Sequence, residues 1–205
     1  YPQGTDLDGS PHWNAALNGG DNKSDVDDLG FIEALINKLS SENLIDLKRV
    51  YAVGYSNGGM MSYALACYKS NLIAAIGSVS GYMLQSTSSV SESECTPSHS
   101  IPLIKLHGTT DYYDGEGVYN SVDSVLNFWV SFNNTNTDPI INNIDDNGTS
   151  ITSYKYENGD NNVSLEHYKI IGGEHVWFNN DFNGKNTGQL IWDFVSKYDI
   201  DGLIE

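Results

Sequence analysis

The sequence predicts an α/β fold, a mostly parallel sheet covered by helices on both faces, and three observations predict it. Short apolar runs of strand length alternate with stretches whose apolar residues recur three or four apart, the pattern of strand–helix–strand units. Interior runs such as 72–76 are apolar without a break, as strands buried on both faces are. With 205 residues, 39% of them apolar and 11% aromatic, the chain has material for one continuous core. Residues 1–205 are therefore read as a single domain.

Each element follows from local pattern. Residues 1–24 are rich in Gly, Asp, Asn and Pro, hold no period and read as loop. Ser24 is expected to cap a helix over 25–40, in which Val26, Leu29, Ile32, Ile36 and Leu39 form one apolar face. Asp25, Asp27 and Asp28 crowd its first turn, where the helix dipole favours them. Residues 49–55 read as a strand, 57–69 as a helix and 72–79 as a second strand. A Ser-rich irregular stretch over 81–100 precedes a third strand at 101–107. The helix over 118–132 gathers Val122, Val125, Leu126 and Trp129 on one face. Residues 133–148 are polar and read as loop, 151–156 and 163–171 as a late β pair, and 187–198 as the last helix.

The most informative segment is Gly54-Tyr55-Ser56-Asn57-Gly58-Gly59, set between a strand and a helix. A Gly-x-Ser-x-Gly turn in that setting lifts a serine above the sheet edge for nucleophilic attack. Side chains two residues before and after the serine are expected to collide in so tight a turn, which explains Gly54 and Gly58. The helix that starts after Ser56 aims its N-terminus at a developing oxyanion, with the Asn57 backbone N–H as one donor. A bare Gly-x-Ser-x-Gly is a weak signal in a chain with 20 glycines; its strand and helix flanks are what raise it.

Such a serine needs a base and an acid, in the chain order Ser, then Asp or Glu, then His. Asp111 follows the strand at 101–107 through Gly108-Thr109-Thr110, at the strand's C-terminal end, where open α/β sheets build their sites. Asp114 is its rival, in a looser Asp-Gly turn. His175 lies in Gly172-Gly173-Glu174-His175-Val176-Trp177, after a strand and before the last helix, where two glycines permit a close approach to the serine. His12 and His99 precede that place in irregular segments, His107 is expected to pack beneath the acid loop, and His167 to face solvent from an alternating strand.

Charge and composition narrow the function. The net charge is −17 and Arg49 is the sole arginine, which argues against a nucleic-acid partner and for a well-solvated surface. No apolar run is long enough to span a membrane. Four Asn-x-Ser/Thr sequons start at Asn22, Asn133, Asn147 and Asn162, as chance provides in so Asn-rich a chain. Asp6-Leu7-Asp8-Gly9 is too short for an EF-hand and no phosphate loop appears, so neither metal nor organic cofactor is expected. Cys67 and Cys95 are open to three readings: free thiols, a disulfide or half of a metal site.

Four segments together resemble the secreted serine esterases of the polyhydroxybutyrate depolymerase and feruloyl esterase type, close to carbohydrate esterase family 1, in the α/β-hydrolase superfamily. They are Asp25-Val26-Asp27-Asp28-Leu29-Gly30-Phe31-Ile32, Gly54-Tyr55-Ser56-Asn57-Gly58-Gly59-Met60-Met61-Ser62-Tyr63, His107-Gly108-Thr109-Thr110-Asp111 and Gly172-Gly173-Glu174-His175-Val176-Trp177. The resemblance runs along nearly the whole chain and implies Ser56 as nucleophile, Asp111 as acid and His175 as base. Two positions depart from it: Tyr112-Tyr113 stands where a proline-containing turn is usual, and Phe178 where Pro usually follows the Trp. Residues 1–5 resemble the end of a strand that in this family comes after the first strands and the oxyanion loop. The chain is therefore expected to be N-terminally incomplete and to lack the second oxyanion donor.

The resemblance also bears on the cysteines and the substrate. Leu65-Ala66-Cys67 and a Cys-x-Pro like Cys95-Thr96-Pro97 recur together in such esterases, and both places flank adjacent strands, so a Cys67–Cys95 disulfide and an extracellular or periplasmic location are expected. The expected partner is a small or polymeric ester: a phenolic ester of polysaccharide first, then acetylated xylan or polyhydroxybutyrate. Tyr55, Tyr112 and Trp177, with Tyr113 and Phe178, are candidates for an aromatic substrate rim. A hydrolase-fold binding module without turnover is the alternative of another class; a serine peptidase is disfavoured because no further domain to select peptides is visible.

Overall fold

Apolar strands and amphipathic helices appear in the order that the sequence pattern predicts, with short strands added near both ends and one strand added within 133–148. The computed structural model describes residues 2–17, 22–85 and 95–204; residues 86–94 of the Ser-rich stretch read as irregular, and Tyr1, lie outside the described residues. The first addition is a small antiparallel hairpin of β1 (Thr5–Leu7) and β2 (Ser10–His12), turned at Asp8-Gly9. Loop is expected there, because three-residue strands are too short to show a period.

There follow α1 (Asp28–Ser41), β3 (Tyr51–Tyr55), α2 (Asn57–Tyr68), β4 (Ala75–Val79), β5 (Leu103–Gly108), α3 (Val122–Phe132), β6 (Ile140–Asp146), β7 (Thr149–Tyr156), β8 (Leu165–Ile170), α4 (Thr187–Val195) and a final short pair, β9 (Tyr198–Asp199) and β10 (Gly202–Leu203). The main sheet has the order β3-β4-β5-β8-β7-β6. Its first four strands run parallel, and β7 and β6 are antiparallel. All residues of β4 and β5 are buried, Ser78, Lys105 and His107 among them, as expected of central strands covered on both faces.

A core lies on each face. On one, Leu29, Ile32 and Ile36 of α1, Met61 and Leu65 of α2, and Val125 and Trp129 of α3 pack on Ile76, Leu103 and Leu165. On the other, Leu190, Ile191 and Phe194 of α4 pack on Ala75, Ile104, Leu106 and Ile151. The Cys67–Cys95 disulfide ties the end of α2 to the segment leading into β5, with Cα atoms 4.6 Å apart.

Three expectations are corrected. Asp27, not Ser24, caps α1: its carboxylate accepts the Gly30 N–H at 2.8 Å, while Ser24 Oγ accepts from the Asn14 side chain. The stretch read as loop at 133–148 contains β6, an outer strand whose residues are mostly exposed and so carry no apolar alternation. Its hairpin turn is Asn147-Gly148, with φ of 51° and 91°, the left-handed pair that a two-residue turn requires. Lastly, His167 is buried rather than solvent-facing. It shares the face of Leu165 and lies between Lys105 and Tyr154, its register partners in the adjacent strands.

Candidate active site

The turn from β3 into α2 is built by close contact. A Cβ on Gly54 would stand 2.2 Å from the Gly58 backbone carbon, so no side chain fits there. Gly58 itself has open space around its Cα, which corrects the expectation that both flanking glycines are forced by collision. Ser56 takes φ 50° and ψ −116°, a conformation that costs a non-glycine residue ~1–3 kcal/mol and persists where the surroundings impose it. Its N–H is held by the Val79 carbonyl at 2.9 Å, which pins the turn to the end of β4. The first helical hydrogen bond runs from Met60 N to Ser56 O. The N–H groups of Asn57, Gly58 and Gly59 precede it in the first turn of α2, where backbone donors have no partner within the helix.

Ser56, His175 and Asp111 are hydrogen-bonded in series. Ser56 Oγ lies 2.7 Å from His175 Nε2, and His175 Nδ1 lies 2.8 Å from Asp111 Oδ2. The loops carrying Asp111 and His175 are locked together. The Thr110 N–H and hydroxyl both donate to the Gly173 carbonyl, and the Gly172 N–H donates to Thr109 Oγ1. The base loop is also held from beneath: Tyr55 Oη donates to the His175 carbonyl at 3.0 Å and Ser80 Oγ to the Val176 carbonyl at 2.9 Å. Asp114 does not join the series; its carboxylate accepts the Val122 N–H at the start of α3.

Beneath Asp111 lies a buried polar layer. His107 Nε2 is 2.7 Å from Tyr82 Oη and 3.2 Å from Asp111 Oδ2. Lys105 is fully buried and donates to the Gly81 carbonyl at 2.7 Å. Burial works to raise the Asp111 carboxyl, but the donors His107, His175, the Tyr113 amide and Tyr82 outweigh it and hold it well below the usual carboxylate range. Burial pushes the Lys105 amine down to about 7. Burial first, and the nearby Lys105 second, push His107 down to about 4, so its imidazole is neutral at ordinary pH. His99 serves structure, with its ring nitrogens on the Ser70 and Ser100 carbonyls.

Beside Ser56 opens a cleft of about 260 Å³, lined among others by Trp13, Met60, Tyr82, Tyr113, Tyr119 and His175. Of the expected rim, Tyr113 lines this cleft, whereas Tyr55, Tyr112 and Trp177 do not. They are exposed, and the rings of Tyr55 and Tyr112 lie 5.6 and 6.4 Å from that of His175. Phe178 is 3% exposed and packs in the core against the α4 face, a correction to its place in the rim. Trp13 escaped sequence reading because a distant residue brings it in: the Asn57 side chain accepts the Trp13 N–H at 2.7 Å and donates to its carbonyl at 2.9 Å. Tyr82 carried a usable signal, since it follows β4 at the sheet's C-terminal edge.

Comparison with known proteins shows what the chain is similar to. The profile of the family described as phospholipase/carboxylesterase matches residues 18–135. The chain is 27% identical over 189 residues to "Feruloyl esterase B" of Piromyces equi, covering 86% of this chain and 32% of that protein. It is 29% identical over 179 residues to "Bifunctional acetylxylan esterase/xylanase XynS20E" of Neocallimastix patriciarum, covering 86% of this chain and 24% of that protein. It thus spans a third or less of the length of these relatives. The solved acetyl xylan esterase from Aspergillus awamori superposes with a TM-score of 0.54 at 14% identity, over 82% of this chain and 66% of that one, a likeness of fold. The resemblance to feruloyl esterases read from the motifs is borne out by these relatives. The chain belongs to the phospholipase/carboxylesterase family.

Proposed function

We propose that this chain is an N-terminally incomplete catalytic domain of a serine carboxylic ester hydrolase that works through an acyl-enzyme. The observation that carries the reading is the series Ser56–His175–Asp111, with contacts of 2.7 and 2.8 Å, on a serine forced to φ 50° at a helix N-terminus. Ser56 Oγ attacks the ester carbonyl and passes its proton to His175 Nε2. Asp111 holds the imidazole by Nδ1–H and stabilises the imidazolium. The Asn57 N–H donates to the oxyanion as it forms. His175 then protonates the departing alcohol, and water attacks the acyl-serine with His175 again as base.

The substrate class follows from the two sides of His175. Trp13, Tyr82, Tyr113 and Tyr119 make the cleft beside Ser56 aromatic, which suits a flat phenolic acyl group of the feruloyl type. Tyr55, Tyr112 and Trp177 lie outside it as exposed aromatic surface suited to the sugar chain that carries the ester. Acetylated xylan is the second reading, favoured by the name of the Neocallimastix relative. The disulfide supports an oxidising, extracellular location, and no helix among the described residues is long and apolar enough to cross a membrane.

The expected outcome for Ser56→Ala is a folded protein whose hydrolysis of p-nitrophenyl acetate drops by on the order of 10⁴ or more and which no longer takes a fluorophosphonate label. Undiminished turnover in that variant overturns the reading. Parallel assays on methyl ferulate and acetylated xylan separate the two substrate readings.

A further inference from the structure

We propose that His107 and Tyr82 are positioning residues of this reaction, a second anchor that holds the Asp111 carboxylate on His175. The proposal rests on the reading of Ser56, His175 and Asp111 as the reacting series. Asp111 Oδ2 serves two histidines at once, His175 Nδ1 at 2.8 Å and His107 Nε2 at 3.2 Å. The side chains of Asp111 and His107 are 0% and 2% exposed. Asp111 Oδ1 accepts the Tyr113 N–H at 3.2 Å, and His107 adds a far-side donor on Oδ2, the oxygen that His175 uses.

The tautomer of His107 follows from the surroundings. Its Nδ1 is buried with no hydrogen-bond partner among the described residues, while Nε2 faces Tyr82 Oη at 2.7 Å and Asp111 Oδ2 at 3.2 Å. A proton on Nδ1 would leave a buried N–H without an acceptor and turn an imidazole lone pair toward an anion. Both cost more than an idle acceptor at Nδ1. The proton therefore sits on Nε2, within reach of Tyr82 Oη at 2.7 Å and of Asp111 Oδ2 at 3.2 Å. The result is a hydrogen-bonded chain that ends on one carboxylate: His107 Nε2 stands against both Tyr82 Oη and Asp111 Oδ2, and His175 Nδ1 donates to that same oxygen, so that each bond polarises the next.

The chain is itself clamped. Tyr82 packs edge-on against the His107 ring, with centroids 4.6 Å apart, and parallel to the His175 ring at 6.5 Å. Lys105 Nζ holds the Gly81 carbonyl beside it and stands 5.7 Å from the Tyr82 ring centre. Tyr113 and Tyr119 close the other sides of Tyr82. The titratable groups around the pair are Asp111, Asp114, His175, His167, Lys105, Tyr113 and Tyr119. Because Tyr82 also lines the cleft, the surface that would meet the acyl group is the surface that holds the acid.

The test compares H107F, which keeps a ring but no donor, H107Q, whose amide nitrogen reaches the place of Nε2, and Y82F, which loses one oxygen. Each is assayed on methyl ferulate and p-nitrophenyl acetate, with active sites counted by fluorophosphonate labelling and folding checked by thermal denaturation. The expected result is a kcat loss of about 10- to 100-fold in H107F and Y82F, the range that partners of reacting groups command, with KM unchanged and H107Q restoring most of kcat. The double variant H107F/Y82F should be no slower than the slower single, because both cut one chain. A wild-type kcat in H107F or Y82F, beside an inactive Ser56→Ala, overturns the anchor and leaves the triad standing. Equal losses in H107F and H107Q overturn it in favour of ring packing. If H107F does not fold, Y82F decides alone. Turnover in Ser56→Ala brings down the underlying reading itself.

Discussion

Gly54 and Gly58 flank Ser56 symmetrically in the sequence, yet the fold uses them differently. A methyl on Gly54 would meet the Gly58 carbonyl carbon at 2.2 Å and its oxygen at 2.4 Å, whereas nothing lies within 4 Å of one on Gly58. Gly54→Ala is therefore expected to destabilise by about 1–3 kcal/mol or more, since the clash is with backbone that cannot rotate aside. Gly58→Ala should be neutral or stabilising by about 0.5 kcal/mol, the helix preference for Ala over Gly. Thermal melts of the two variants check the pair; equal losses would mean that both glycines are sterically required after all. At this scale the sequence is legible where chemistry and chain order coincide. Ser56, Asp111 and His175 stand out because each sits in a Gly-bearing turn after a strand, in the required order. His167 was not legible: alternation in β8 separates two faces, and nothing local says that both faces are covered.

Among the elements, the helices and parallel strands were readable, and the outer β6 was not. Its residues Ile140–Asp146 are mostly exposed, so burial does not impose the period of two by which strands are recognised. The Asn147-Gly148 turn was the signal present in the sequence, a dipeptide that strongly favours two-residue hairpins. The same scale holds the disulfide, which ties α2 to the entrance of β5 across a separation of 28 residues. Replacing both Cys67 and Cys95 by Ser is expected to lower stability by roughly 3–4 kcal/mol, mainly by releasing the unfolded chain. Urea unfolding of the variant beside the oxidised parent measures that difference; identical midpoints would show that the bridge contributes nothing.

For the molecule as a whole, buried histidines set the acid limit of stability. His107 is pushed down to about 4 and His167 well below its ordinary value, in each case first by burial and next by Lys105. The unfolded chain binds protons on these histidines below about pH 6.5, whereas the folded chain refuses them until far lower pH. Stability therefore rises with pH from about 4 to about 6.5, by about 1.4 kcal/mol per pH unit for each histidine that only the unfolded chain protonates. Urea midpoints taken across that window should climb, and the slope should be shallower in His167→Phe; a flat profile in the parent would refute it. What the sequence by itself determined is the α/β class, the order of most elements and three reacting candidates. All of these rest on local spacing: strand runs, helical periods and turn residues. Only the tertiary structure decided which residues meet. The Ser56–His175 contact spans 119 positions and the Asn57–Trp13 contact 44. The aromatic cleft, the buried Lys105–His167 layer and the anchor under Asp111 depend on strand order and register. Those are set by how two apolar faces of one sheet are covered at once, a balance of packing over the whole chain that no local window contains.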